Sequence, residues 1–94
     1  MTLPFSSRVL VPPNVLVRLL DKESVLLNLE TERYFGLDEV GTRIWLHLTA
    51  SDSIGAAYQK ILVEYDVEDG KLRDNLSELL ERLVANGLLH VLPG

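Results

Sequence analysis

The apolar positions change their period near residue 38. Before it they crowd into short runs, "VLVRLL" and "VLLNL". After it they recur every three or four residues, which is the helical repeat. Segments 14–20 and 24–29 are rich in Val and Leu and are separated by the charged "DKE". They predict a β-hairpin. On the first strand Val15, Val17 and Leu19 share one face, and Leu16, Arg18 and Leu20 share the other. On the second, Val25, Leu27 and Leu29 lie opposite Leu26 and Asn28. Both strands are apolar on nearly both faces, so alternation does not say which face is inward. "ETE" (30–32) is a second turn. It leads to "RYFGL" (33–37), a third strand that the meander order places at a sheet edge.

Asp38 follows at once and is suited to an N-cap, its carboxylate taking free amides of the first turn. Val40, Ile44, Trp45 and Leu48 predict a first helix ending between Thr49 and Asp52. Gly41 is unfavourable in a helix by about 1 kcal/mol relative to Ala, but in the first turn it permits close approach of another element. Ser53 can cap a second helix, with Ile54, Ala57, Tyr58, Ile61, Leu62 and Tyr65 as its apolar stripe. "YDVEDG" breaks that stripe. A third helix starts near Glu68 or Asp69 and carries Leu72, Leu76, Leu79, Leu80, Leu83 and Val84 on one side. Asn86-Gly87 stops it, Gly87 being suited to a left-handed position. Leu88, Leu89, Val91 and Leu92 form an apolar tail able to fold back.

Residues 1–13 read as a loosely attached N-terminal arm. Pro12-Pro13 blocks a helix there, and Phe5, Val9 and Val11 are the positions able to dock on the body or on a neighbouring subunit. Residues 14–92 read as one domain. Three strands followed by three helices make an α+β fold, a three-stranded antiparallel sheet beside a helical trio. Helices two and three, joined by a short turn, make it winged helix-turn-helix-like.

Composition narrows the function. Ninety-four residues form one small domain, and 47% hydrophobic content argues against disorder. That content is high for so small a chain, which leaves apolar surface for a partner. The absence of Cys removes disulfides, thiolate metal sites and Cys nucleophiles, and suits the cytoplasm. The first residues lack the pattern of a signal peptide, and the apolar runs are far shorter than the ~20 residues of a membrane span. His47 and His90 are the only histidines and have no metal-ligand spacing. There is no nucleophile elbow or phosphate loop. The sequence therefore predicts neither an enzyme nor a cofactor or metal site. Fourteen acids against nine bases give a net charge of −5, a poor basis for gripping nucleic acid. The third helix offers Lys71, Arg73 and Arg82 among many acids, so a winged-helix DNA-binding module is an alternative without a basic face.

Peptide binding fits better. Tyr34 and Phe35 are adjacent, so their rings point to opposite faces of a strand. One can enter the core while the other forms an aromatic wall. The strand contains no Pro, and Gly36 lets a second backbone approach. An extended peptide can add itself to such an edge. The same edge could pair with its own copy, so a dimerisation module is a further alternative.

The segments "SVLLNLETERYFGLDEVGTRIWLHL" and "SIGAAYQKILVEYDVEDGKLRDNLSELLERLVANGLL" resemble the PqqD family, which includes the leader-recognition elements of ribosomally made, post-translationally modified peptides. The resemblance covers roughly residues 14–89 and rests on the order of "RYFGL", "DEVGTRIW", "EYDV" and "LLERLVANGLL". Family members often have Asn where this chain has Asp38, and both are good N-caps. The resemblance implies a function: holding the leader of a precursor peptide while a partner enzyme modifies the core. It implies leader pairing with the third strand, in the cleft between that strand and the third helix. The implied contacts are Arg33, Tyr34, Phe35, Gly36 and Leu37 on the strand. On the helix they are Lys71, Leu72, Asn75, Leu76, Leu79 and Arg82. Pyrroloquinoline quinone biosynthesis, lasso-peptide maturation and other radical-enzyme pathways use such domains. The implied partners are thus a precursor leader and either a radical S-adenosylmethionine enzyme or a cyclase and protease, with no nucleic acid and no membrane.

Overall fold

The computed structural model describes residues 5–65 and 68–92. The strands are β1 (Arg8–Leu10), β2 (Val15–Leu20), β3 (Glu23–Asn28), β4 (Arg33–Leu37) and β5 (His90–Leu92). The helices are α1 (Glu39–Ala50), α2 (Ile54–Glu64) and α3 (Asp69–Ala85). The central sheet is antiparallel, ordered β2-β3-β4, and the three helices follow it in sequence. This is the expected α+β arrangement. Its likeness to a winged helix is a comparison of shape only.

Local chemistry sets the element ends. Asp21, at φ 60°, bends the loop between β2 and β3, and Asp tolerates that left-handed conformation better than most residues. Asp38 Oδ1 accepts from the Gly41 amide at 2.7 Å, and Ser53 Oγ accepts from the Ala56 amide at 3.1 Å, so both predicted caps form. At the end of α3 the Gly87 amide donates to Val84 O and the Leu88 amide to Leu83 O. Gly87 has φ +69°. This is the Schellman pattern, closed by the buried pair Leu83 and Leu88.

The sheet presents one side to the helices. Register pairs Leu26 with Phe35 and with Val17, so these three lie on one face. Leu26 is fully buried there, against a core that includes Ile44, Trp45 and Leu48 of α1, Ile61 of α2, and Leu76, Leu80 and Leu83 of α3. Its neighbours on that face, Ser24 and Asn28, are polar and also buried. Each is satisfied by a distant partner. Ser24 Oγ and Thr42 Oγ1 lie 2.8 Å apart. The Asn28 amide nitrogen donates to Asn86 O and Gly87 O at 3.2 and 3.3 Å. The outward face holds Leu16, Leu20, Val25, Leu27 and Tyr34, which line a shallow apolar depression.

The N-terminal segment differs from a loose arm. β1 pairs with β5 in a separate two-stranded ribbon, with Val9 opposite Val91. Phe5 sits edge-on to Tyr58, with ring centroids 5.3 Å apart. Its carbonyl accepts from the Gly55 amide at 2.9 Å. The pairing uses the apolar tail, which folds back after Gly87 with Leu88 and Leu89 buried. Residues 1–4 of the expected arm lie outside the described residues.

A candidate peptide-binding cleft

β4 is an edge strand, paired with β3 on one side only among the described residues. Hydrogen-bond alternation says which of its groups face outward. The Leu29 amide donates to Asn14 O at 2.9 Å, beside the Val15–Asn28 pair. In an antiparallel ladder the direction alternates at each residue. Val25 and Leu27 therefore point their backbone groups at β2, and Ser24, Leu26 and Asn28 point theirs at β4. On β4, Arg33, Phe35 and Leu37 answer β3. Tyr34 and Gly36 are left with their N–H and C=O groups toward the open edge, two donors and two acceptors.

Beside this edge runs a cleft of about 400 Å³ between β4, the first turns of α1, and α3. Phe35, Gly36, Leu37 and Asp38 form one side, Val40, Gly41 and Ile44 close one end, and Asn75, Leu79 and Arg82 form the opposite wall. The closed end depends on Gly41. A Cβ there would meet Leu37 Cδ2 and Asp38 Oδ1 at 3.2 Å, so glycine lets α1 start tight against the strand. The Arg82 guanidinium lies over the Phe35 ring, 5.1 Å from its centroid, as a cation–π contact.

The residues named from sequence divide into groups. Phe35, Gly36, Leu37, Asn75, Leu79 and Arg82 line the cleft together. Leu72 and Leu76 are buried beneath it in the core. Lys71 is exposed one turn before Asn75 on the same helical stripe, beyond the lining residues. Arg33 is exposed on the Phe35 face, at the far end of β4. Tyr34 points to the other side of the sheet and is 75% exposed. The expected split of the two rings thus takes a different form: Phe35 both touches the core and lines the cleft, while Tyr34 belongs to the outer apolar face. Asp38, Val40, Gly41 and Ile44, which the sequence marks only as a cap, a helical stripe and a close approach, also line the cleft. The signal that the sequence offers is the place of Val40, opening that stripe directly after the edge strand; the structure leaves it half-exposed.

On the adjoining flank of α1, Glu64 accepts from Arg43 Nε at 2.7 Å and Nη2 at 3.0 Å, and lies 2.6 Å from His47 Nε2. The Arg43 hydrogen bonds, then that of His47, hold the Glu64 carboxyl down at about 2. This cluster ties α1 to α2. Among the described residues no group of three or more acidic or histidine side chains is placed to hold a metal ion. No described helix is long and apolar enough to cross a membrane.

Comparison with known proteins identifies the fold. TbiB1, solved in complex with the TbiA(beta) leader peptide, is 35% identical, with 85% of this chain and 93% of that chain aligned at a TM-score of 0.79. A lasso peptide synthetase B1, solved with the leader peptide, is 24% identical over 88% of this chain and 98% of that one, at a TM-score of 0.78, and supports the fold alone. Comparison with curated proteins gives no match. The family model described as coenzyme PQQ synthesis protein D (PqqD) matches residues 23–89, most of the chain. The chain belongs to the PqqD family.

Proposed function

We propose that this protein binds the leader segment of a ribosomally made precursor peptide by strand addition to β4 and presents it to a modifying enzyme. The observation that carries the reading is the open β4 edge beside a lined cleft, in a chain 35% identical to a protein solved with a leader peptide. The chain acts as an adaptor and carries out no bond chemistry. Its partners are the leader and a maturation enzyme, a radical S-adenosylmethionine enzyme or a cyclase and protease. A cytoplasmic setting suits its lack of cysteine.

The energetics are those of a modest binder. Tyr34 and Gly36 offer ladder hydrogen bonds contributing roughly 0.5–1.5 kcal/mol each. One apolar anchor against Leu37, Ile44 and Leu79 adds about 1.5–3 kcal/mol. Ordering a flexible leader offsets part of this, which leaves an affinity in the micromolar to high-nanomolar range. Tethering then raises the effective concentration of the core peptide at the enzyme.

Titrating the TbiA(beta) leader peptide into isotope-labelled protein tests the reading by nuclear magnetic resonance. Saturable shifts are expected at residues 33–37, Asn75 and Leu79. Shifts confined to other surfaces, or none at millimolar peptide, argue against it. Self-association through β4 without peptide would favour a dimerisation module.

A further inference from the structure

The cleft is electrically lopsided. Arg82 stands over Phe35 on its wall, and Arg33 continues the Phe35 face beyond it. Among the described residues neither arginine is paired with a carboxylate. Glu78, one turn before Arg82, is exposed and outside ion-pair distance. The other end is apolar, built from Leu37, Val40 and Ile44, and carries Asp38. The Asp38 carboxylate is held there by the Gly41 amide, so it repels a second carboxylate at that end.

We infer that Arg82 is a specificity-determining residue, selecting peptides that carry an acidic side chain beside an apolar anchor on the same strand face. The inference rests on the strand-addition reading and adds the chemistry of the guest. Side chains on one strand face recur every second residue, about 6.6 Å apart. Phe35 and Leu37 mark that spacing on β4. A guest side chain seated at the Leu37 end therefore has its same-face neighbour near Arg82, two residues along. Four residues along, the neighbour reaches Arg33. A carboxylate two residues along meets the Arg82 guanidinium on the cleft wall, and one four residues along meets exposed Arg33 beyond it; either contact is a charge-assisted hydrogen bond, stronger than a neutral one. The Phe35 ring holds the guanidinium in position without neutralising it.

The test is selection from a displayed library of random 15-residue peptides against the full chain. Peptides enriched by the wild type should combine an apolar residue with Asp or Glu two or four positions away. The acidic preference should disappear with Arg82→Glu, checked as folded by circular dichroism, and turn toward Lys and Arg. One selected peptide and its Asp→Asn or Glu→Gln counterpart should then differ at least tenfold in affinity for the wild type. For Arg82→Gln they should differ less than twofold. Apolar enrichment with no acidic preference overturns the inference and leaves strand addition standing. Failure of the wild type to enrich any peptide overturns both.

Discussion

The side-chain amide of Asn28 donates to the carbonyl of Gly87 at 3.3 Å. That contact ties the last residue of β3 to the exit of α3. The same side chain gathers its own turn, with Oδ1 accepting from Asn14 Nδ2 at 2.8 Å and from the Glu30 amide at 2.9 Å. Since β4 follows that turn and the chain leaves α3 through Gly87, Asn28 fixes the two walls of the cleft relative to each other. Asn28→Ala leaves several of these groups without a partner. It should lower the unfolding free energy by about 2–3 kcal/mol in urea titration. A loss under about 0.5 kcal/mol would mean that the hub is dispensable.

The two adjacent rings should separate cleanly. Tyr34 is 75% exposed on the outer face, so Tyr34→Ala should change stability by less than about 0.5 kcal/mol and leave peptide affinity within about threefold. Phe35 packs on the core and lines the cleft. Phe35→Ala should remove about 1–2 kcal/mol of stability and weaken leader binding by about tenfold or more. Parallel thermal melts and anisotropy titrations check both, and the reverse ranking would move the site to the outer face.

Acid should loosen the contact between α1 and α2. The folded Glu64 carboxyl titrates at about 2 against an ordinary 4.5, because Arg43 and then His47 hydrogen-bond its charged form. A depressed carboxyl contributes stability that is fully present above its unfolded value and lost as pH falls through the folded one. Melting temperatures of wild type and Glu64→Gln should therefore be furthest apart above pH 4.5 and converge as pH falls toward 2. A gap that stays constant across this window would show that the cluster does not titrate as described.

Gly36 supplies an outward amide. Pro is tolerated at sheet edges where the lost N–H faces away from the ladder, and Phe35 is already in the extended conformation that a following Pro requires. Gly36→Pro should thus stay folded yet bind leader peptide at least tenfold more weakly. Gly36→Ala is the control, because a Cβ there meets nothing within 4 Å, and it should bind as the wild type does. Equal affinity for the Pro and wild-type proteins would contradict strand addition.

What the sequence revealed is largely what short-range chemistry decides. Asp38, Ser53 and Gly87 act within a turn of themselves, so their caps were readable. The inward face of the hairpin was not. Leu16 and Leu20 look as core-forming as Leu26, while buried Ser24 and Asn28 depend on Thr42 and Gly87, far away along the chain. The same distance hid the pairing of Arg8–Leu10 with His90–Leu92. Of the residues that the resemblance implies, Phe35, Gly36, Leu37, Asn75, Leu79 and Arg82 line the cleft. Asp38, Val40, Gly41 and Ile44 join the lining only in three dimensions, because their place depends on how tightly Gly41 lets α1 start against Leu37.

Amide exchange tests the open edge most directly. In the free protein the Tyr34 and Gly36 amides should exchange quickly, while those of Phe35 and Leu37 are protected by β3. Saturating leader peptide should slow Tyr34 and Gly36 by at least tenfold. Protection of Tyr34 and Gly36 before any peptide is added, or no added protection in the complex, would contradict the account.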